Sequence, residues 1–523
     1  MQQAPIIEGL IKVFEKDPPM RKGDHRFTVS RTVSAFAVLY EKARNAVEFR
    51  AEHLVRRAAI ERILKRRIAL ESDPQTIAEN LSLELLWAKY IDSSLIDNET
   101  IAEVASIITR YLILRQMSAT NTSISHGVTW DTLLGIASAE IDETIAPGEK
   151  RQALINFVYQ SIRPKIQLSI EPQLLNMLTY ISVERSFAQS DNALIMFHLI
   201  QMFLPDYKKK NHDEIRAQAE PLMATIETVQ NHMTSPVIAA ISRYLRKQLP
   251  PFLLLRDFFL EQGKHVRTVI DDPQKFEEVL TGIAGRRYQE IGQKVRRAVV
   301  RSIIYIFLTK MILAIALETP VDLLLVKRID YIPLAINALF PPFLLFLITS
   351  FIAIPGPENT HKLIDKIKTI MYHFDDYQRS GDAFIPQPKT RRPILSGIFT
   401  FFYMIAFLIT FGLITFVLTT LHFNIASQII FVFFVALVSL FAYRIRQSAK
   451  EYDFGDRQGL LEPMIDFFFL PILWAGDMLS KEIAKINFFI FLFDFILEAP
   501  LKVIFEVIEE WIHFIRTKKE EII

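Results

Sequence analysis

The chain contains no cysteine. That removes disulfides, thiolate zinc sites, cysteine-ligated iron–sulfur clusters and cysteine nucleophiles, and it leaves the redox compartment open. Glycine is scarce, with 16 residues in 523 against an average near 7%. Folds built on phosphate loops, tight hairpins or glycine-punctuated strands are disfavoured, whereas long helices need glycine least. The sequence holds no Walker A loop, no G-x-G-x-x-G, no G-x-S-x-G elbow, no H-E-x-x-H and no kinase motif set. The 11 histidines are scattered without ligand spacing. We therefore assign no catalytic, cofactor-binding or metal-binding residue, and an enzyme is the less favoured class.

A charge excess of one sign is also missing. Sixty basic and 58 acidic side chains give a net charge of +2, so no nucleic-acid partner is expected. An uninterrupted apolar leader is missing too: Glu8, Lys12, Glu15, Lys16 and Asp17 fall where a signal peptide would be apolar. Residues 1–31 are expected to be a lead-in with a short amphipathic stretch, retained on the side where the chain is made.

What is present is hydrophobic and helical. Half of the chain is apolar and 41 residues are phenylalanine. Between residues 32 and 284 the periodicity is that of helices throughout, without the sustained alternation that a sheet needs. Ile60, Ile63, Leu64 and Ile68 share one helical face, opposite Arg56, Arg57, Arg62, Lys65, Arg66 and Arg67. Interleaved glutamates favour a solvated face with i, i+4 pairs such as Glu52–Arg56 and Glu61–Lys65 over a nucleic-acid- or lipid-binding one. Asp73-Pro74, Ser235-Pro236 and Asp272-Pro273 each pair an N-cap with a proline in the first turn. Breaks are expected at Pro147-Gly148, Leu204-Pro205 and Pro250-Pro251. Residues 32–284 thus read as a helical, water-facing domain.

Beyond residue 300 the character changes. Three charge-free runs, Tyr331–Pro357, Pro393–Leu421 and Asn424–Tyr443, reach the roughly 20 residues that a helix needs to cross a bilayer. A fourth, Ser302–Leu317, is shorter and contains Lys310. Four spans would place every basic cluster on one side. These clusters are Arg286, Arg287, Lys294, Arg296, Arg297 and Arg301; Lys362 through Arg392; and Arg444, Arg446 and Lys450. The expectation is a polytopic, all-α protein of the cell (inner or plasma) membrane with both termini cytoplasmic. Its transmembrane hairpins would lie in 285–355 and 393–443, joined by a cytoplasmic amphipathic loop over 356–392.

Three features carry functional candidates. Lys310 lies within a span, where a cation costs roughly 2.5–3.5 kcal/mol on insertion scales; a structural or snorkelling lysine is favoured over an ion-pathway residue, and Asp494 is its candidate partner. Pro341-Pro342 should kink the second span. The basic flank from Arg286 to Arg301 should meet anionic lipid headgroups. Residues 444–523 read as amphipathic, membrane-associated helices. Pro471 interrupts the apolar stretch 467–474, and Ile504, Ile508, Trp511, Ile512 and Ile515 form a stripe. An additional hairpin through 466–497 is the alternative there. His373, Asp375 and Asp376, and likewise His212-Asp213-Glu214, are read as solvated helix ends rather than metal ligands. The favoured function is a membrane-anchored helical scaffold that binds a protein partner through its N-terminal domain. A small-solute or ion transporter using Lys310 and the double proline comes second, and a membrane enzyme third.

Overall fold

A computed structural model of the chain describes residues 4–16, positions 34, 37–38, 40–42 and 44, and residues 52–120, 127–209, 212–313, 315–316, 319–320, 331–379, 383–384, 393–454, 462–485 and 511. The fold is all-α. Among the described residues the only strands are Ile166–Gln167 (β1) and Ala383–Phe384 (β2), a parallel pair with Ile166 opposite Ala383. The chain divides into two compact units, one comprising residues 4–246 with 378–387 and the other residues 247–377 with 388–486.

The first unit contains α1 (Pro5–Glu15), α2 (Val55–Leu70), α3 (Pro74–Trp87), α4 (Asn98–Thr120), α5 (Trp130–Ile145), α6 (Glu149–Ile162), α7 (Pro172–Val183), α8 (Asn192–Phe203), α9 (His212–Ala217) and α10 (Ala219–His232), and the start of α11 (Pro236–Gln262). Local chemistry sets several of these starts. Asp73 accepts from the Thr76 amide at 2.9 Å with Pro74 in the first turn of α3, and Asp191 accepts from the Leu194 amide at 3.0 Å to open α8. Helix α5 occupies the centre, packed on α2, α4 and α8, and Leu133 through Asp142 are buried without interruption. The apolar face of α1, formed by Ile7, Leu10, Ile11 and Phe14, is buried in a pairing with α6.

Helix α2 differs from its expected solvated face. Ile60, Ile63 and Leu64 are buried as the pattern implies, but Arg57 and Arg67 are buried as well. The partners of these arginines come largely from other segments. Arg57 pairs with Asp191, Arg56 with Asp142, Arg62 with Glu41 at 2.7 Å, and Arg66 and Arg67 with Glu84. Lys65 reaches Asp131 at 2.7 Å rather than Glu61. Carboxylates brought from elsewhere in the chain let Arg57 and Arg67 be buried, while Lys65 stays exposed.

The second unit contains the rest of α11, then α12 (Val266–Ile270), α13 (Pro273–Leu313), α14 (Tyr331–Ser350), α15 (Pro357–Tyr372), α16 (Phe374–Arg379), α17 (Pro393–Thr420), α18 (Ile425–Ala449) and α19 (Glu462–Lys485). Among the described residues three helices are long and apolar enough to cross a membrane, namely α14, α17 over Gly397–Thr420, and α18. Residues 302–313 form the tail of α13, one continuous helix of 41 residues. The amphipathic face expected in the 358–392 loop is α15, whose Leu363, Ile364, Ile367, Ile370 and Met371 are buried.

Two expected interruptions do not occur. Helix α11 runs through Pro250-Pro251 and α19 runs through Pro471. A proline within a helix strips the donor from the carbonyl four residues earlier. In α11 those carbonyls belong to Arg246 and Lys247, and in α19 to Phe467, all of them exposed residues. At Arg246 and Lys247 exposure lets water replace the missing donors. The prolines of α14, by contrast, relieve Asn337 and Ala338, and both of these residues are buried.

Helix α19 packs along α18 and α17 through a close approach at Gly476. A β-carbon there would overlap the Ala436 carbonyl oxygen and press on Leu440. Backbones can come this near only across a residue without a side chain. Gly476→Ala should therefore destabilise the chain by roughly 1–3 kcal/mol through overpacking, read as a lowered Tm in detergent. Gly412→Ala, with nothing within 4 Å of the added carbon, should leave Tm unchanged or slightly raised.

Candidate functional site

Lys310 lies on the inward face of the α13 tail. It is 0% exposed, and its Nζ stands 4.6 Å from the centroid of the Phe434 ring on α18, a cation–π arrangement of the kind that stabilises a desolvated ammonium. The neighbouring Ile306 is buried with Leu345 and Val438. Ile304, Tyr305, Phe307, Leu308, Met311 and Ile312 on the other faces are exposed. The helix tail is thus inverted relative to a water-soluble one, with its charge inside and its aliphatics outside. Helix α14 packs along α13 and carries a second buried polar group, Asn337, whose Nδ2 donates to the Ser427 carbonyl at 3.5 Å. The Asn337 and Ala338 carbonyls freed by Pro341 and Pro342 are groups that a buried ammonium complements chemically.

The candidate partner Asp494 lies outside the described residues. So do Lys327 and Arg328, Lys389 through Arg392, and the stripe residues Ile504, Ile508, Ile512 and Ile515; Trp511 is exposed.

The basic flank separates into two groups. Arg286 pairs with Glu261, while Arg287 donates to Asp257 at 2.8 Å and to Glu290 at 2.8 Å. Lys294, Arg296, Arg297 and Arg301 are exposed. Arg287 belongs to a buried polar knot centred on Asp257 of α11. The Asp257 carboxylate takes bonds from Arg256, Arg287 and the Tyr452 hydroxyl. Asn359 of α15 donates to the Tyr288 hydroxyl and to the Tyr452 carbonyl, both at 2.8 Å, and accepts from the Phe454 amide at 2.7 Å. Burial, followed by the charge of Asp257, pushes the Tyr452 phenol up. Burial also works against the Arg287 charge, but Asp257 and Glu290 outweigh it and hold that guanidinium above its usual value. The knot ties α11, α13, α15 and the segment after α18 together at the basic end of the apolar helices. Its members lie up to 196 residues apart, and no local pattern marks them.

A second buried centre, also without a local signature, lies in the first unit. Helix α7 ends in a π-helical turn, Glu184–Ala188, and Gln189 adopts a left-handed conformation with φ 53°. The turn places Glu184 in the core at 0% exposure. Its Oε1 is bonded to His198 Nδ1 at 2.6 Å and accepts from the Tyr180 hydroxyl at 3.0 Å, while its Oε2 accepts from Ser190. Gln152 in turn donates to the Tyr180 hydroxyl at 2.7 Å. Both carboxylate oxygens are satisfied within the chain, so the centre locks α6, α7 and α8 together. Glu140 does the same for Arg110, Tyr111 and Tyr207, at 2.7, 3.0 and 2.9 Å.

His373, Asp375 and Asp376 are exposed at the end of α15 and the start of α16. Among the described residues no group of three or more His, Asp or Glu side chains converges to hold a metal ion.

No protein-family model, curated protein or solved structure matches this chain. Function must be argued from the residues alone.

Burial works to raise the Glu184 carboxyl, but the hydrogen bond and charge of His198, with the bonds from Ser190 and Tyr180, outweigh it and hold the group below its usual value. A carboxyl lowered in the fold contributes stability that is complete above its unfolded pKa, about 4.3, and that is lost as pH falls through the folded value. Glu184→Gln should cost about 3–5 kcal/mol at pH 7 by stranding its donors. The Tm difference from wild type should hold from pH 7 down to about 5 and shrink only as pH falls below about 4; a difference unchanged at that lower pH would contradict this role.

Proposed function

We propose that the protein is an integral membrane protein whose second unit spans the bilayer and holds the helical first unit, as a scaffold, at the inner surface. One observation carries the membrane reading: where the large apolar side chains are exposed. Among the described residues before Val300, the exposed large hydrophobic ones are Leu70, Met202, Phe203 and Leu260; from Val300 onward they are numerous. The most apolar 18-residue stretch of α17 within Gly397–Thr420 has a mean hydropathy of 2.4, yet only 11% of it is buried. Each large side chain left in water forgoes roughly 1.5–3 kcal/mol, so a surface of this kind calls for hydrocarbon around it.

The inverted tail of α13 supports a fourth span, with Lys310 turned away from lipid. Two hairpins then leave Arg301, Lys362 and Arg446 on one face, which by the positive-inside rule is cytoplasmic. The exposed Lys294, Arg296, Arg297 and Arg301 meet anionic headgroups there, each contributing about 1 kcal/mol.

Transport of a small solute or ion is a second reading, favoured by the full burial of Lys310 and by the two carbonyls that Pro341 and Pro342 free inside α14. A catalytic role has no comparable support.

The absence of cysteine makes the topology directly testable. In sealed vesicles, Thr420→Cys and Lys450→Cys should react with an impermeant maleimide from opposite sides, with Lys362→Cys behaving like Lys450→Cys. Thr420→Cys and Lys450→Cys labelling from the same side, or a chain soluble without detergent, would overturn the proposal. A scaffold solubilised from its native membrane should retain a stoichiometric protein partner and show no flux after reconstitution. Flux that Lys310→Ala abolishes would establish the transport reading in its place.

A further inference from the structure

A cavity of about 300 Å³ opens beside α18 at the basic end of the apolar helices. Phe351 and Ile352, just beyond α14, wall one side, and Phe469 and Leu473 of α19 wall another. Ser439, Tyr443 and Arg446 of α18 also line it. Their i, i+4, i+7 spacing puts them on one face of that helix, with Ser439 about 10 Å further along the axis than Arg446 at 1.5 Å per residue. The three form a polar strip between apolar walls, with a cation at one end.

Ser439 supplies an independent sign of an absent occupant. It is 1% exposed, and its hydroxyl makes no hydrogen bond. Serines in apolar helices ordinarily bond back to the preceding turn, as Thr349 does to the Leu345 carbonyl at 2.7 Å on α14. A buried hydroxyl left without a partner is unfavourable unless a ligand atom or water reaches it. The rim is amphipathic: Phe351 and Tyr443 are exposed, aromatic and close to the half-buried Arg446. Tyrosine with arginine at that level is the signature of a membrane interface.

We propose that this cavity binds one anionic phospholipid from the surrounding bilayer. The phosphate lies on the Arg446 guanidinium, whose planar fork matches two phosphate oxygens. The ester region passes Tyr443 towards Ser439, whose hydroxyl donates to an ester carbonyl, and part of one acyl chain fills the space between Phe351 and Leu473. A soluble anion would leave the apolar walls and the Ser439 hydroxyl unused, which is why a lipid is chosen over free phosphate. The cavity is separate from the exposed flank on α13, which makes only nonspecific surface contacts. The inference rests on the membrane reading proposed above.

The test is native mass spectrometry of the full-length chain released from nanodiscs of equal phosphatidylglycerol and phosphatidylcholine. One retained phosphatidylglycerol per chain is expected, favoured over phosphatidylcholine by about tenfold, the worth of one charge-assisted pair. Arg446→Gln should abolish the preference. Ser439→Leu, which fills the cavity, should remove retention of both lipids, while Arg297→Gln on the flank should leave the retained lipid unchanged. Should the α18 variants fail to fold, a photoactivatable phosphatidylglycerol added to the wild-type chain should label the segments around 351–352, 439–446 and 469–473. Labelling confined to other segments, no preference for phosphatidylglycerol, or unaltered retention in Arg446→Gln would overturn the proposal. Thermal stabilisation by millimolar inorganic phosphate equal to that by the lipid would assign the site to free phosphate instead, and also overturn it. A chain that inserts with the expected topology but retains no lipid defeats this inference alone, whereas a chain soluble without detergent defeats the membrane reading beneath it.

Discussion

The orientation of the α13 tail is the constraint on which the rest of the second unit depends. A lysine that is wholly buried over an aromatic ring, on a helix whose isoleucines and phenylalanines face outward, reverses the arrangement that water imposes. Once that reversal is accepted, other features of the unit fit one surrounding. Helix α17 can remain almost uncovered, and α14 can place its two prolines and Asn337 towards the interior. The basic residues can gather at one end, where hydrocarbon would give way to water. The close approach of α19 to α18 at Gly476 fits as well, because helices without a hydrophobic drive between them associate through small residues and tight packing.

The first unit is held together by a different device. Its core is apolar, but it is crossed by buried carboxylates, Glu84, Glu140, Asp142 and Glu184, each met by donors from at least one other element. Asp142 shows the tension directly: burial drives its carboxyl up, against the hydrogen bond and charge of Arg56. Such pairs add little net stability over apolar replacements, but they are costly to break from one side. They therefore fix which helix lies against which. In a bundle with few distinguishing features along its helices, the matching of Arg57 to Asp191 and of Glu184 to His198 supplies a register that generic apolar packing would not.

Much of the helical plan was legible because its causes are local. Asp73 before Pro74, Ser235 before Pro236 and Asp272 before Pro273 each accept a first-turn amide of the helix that follows. The three apolar runs became three helices because length and hydropathy suffice for that inference. The failures share a cause. Pro250-Pro251 and Pro471 read as breaks, because a proline marks a lost donor locally, whereas whether the helix continues depends on what surrounds it. The arginine face of α2 read as solvated, because i, i+4 glutamates are visible in the sequence whereas Asp142, Asp191 and Glu84 come from other segments. Neither the Asp257 knot nor the Glu184 centre could have been found, since each joins residues that only folding makes neighbours.

By itself the sequence determined where most helices would form and which three would be long and apolar enough to cross a membrane, since both follow from propensity, capping and hydropathy along consecutive residues. It determined also that cysteine chemistry is out of reach, because the chain has no cysteine. Only the tertiary structure decided which way Lys310 faces, which arginines are buried, which prolines a helix can carry, and that Ser439, Tyr443 and Arg446 border one cavity. Those are matters of what stands opposite a side chain, and a neighbour a hundred or more residues away leaves no trace in local spacing.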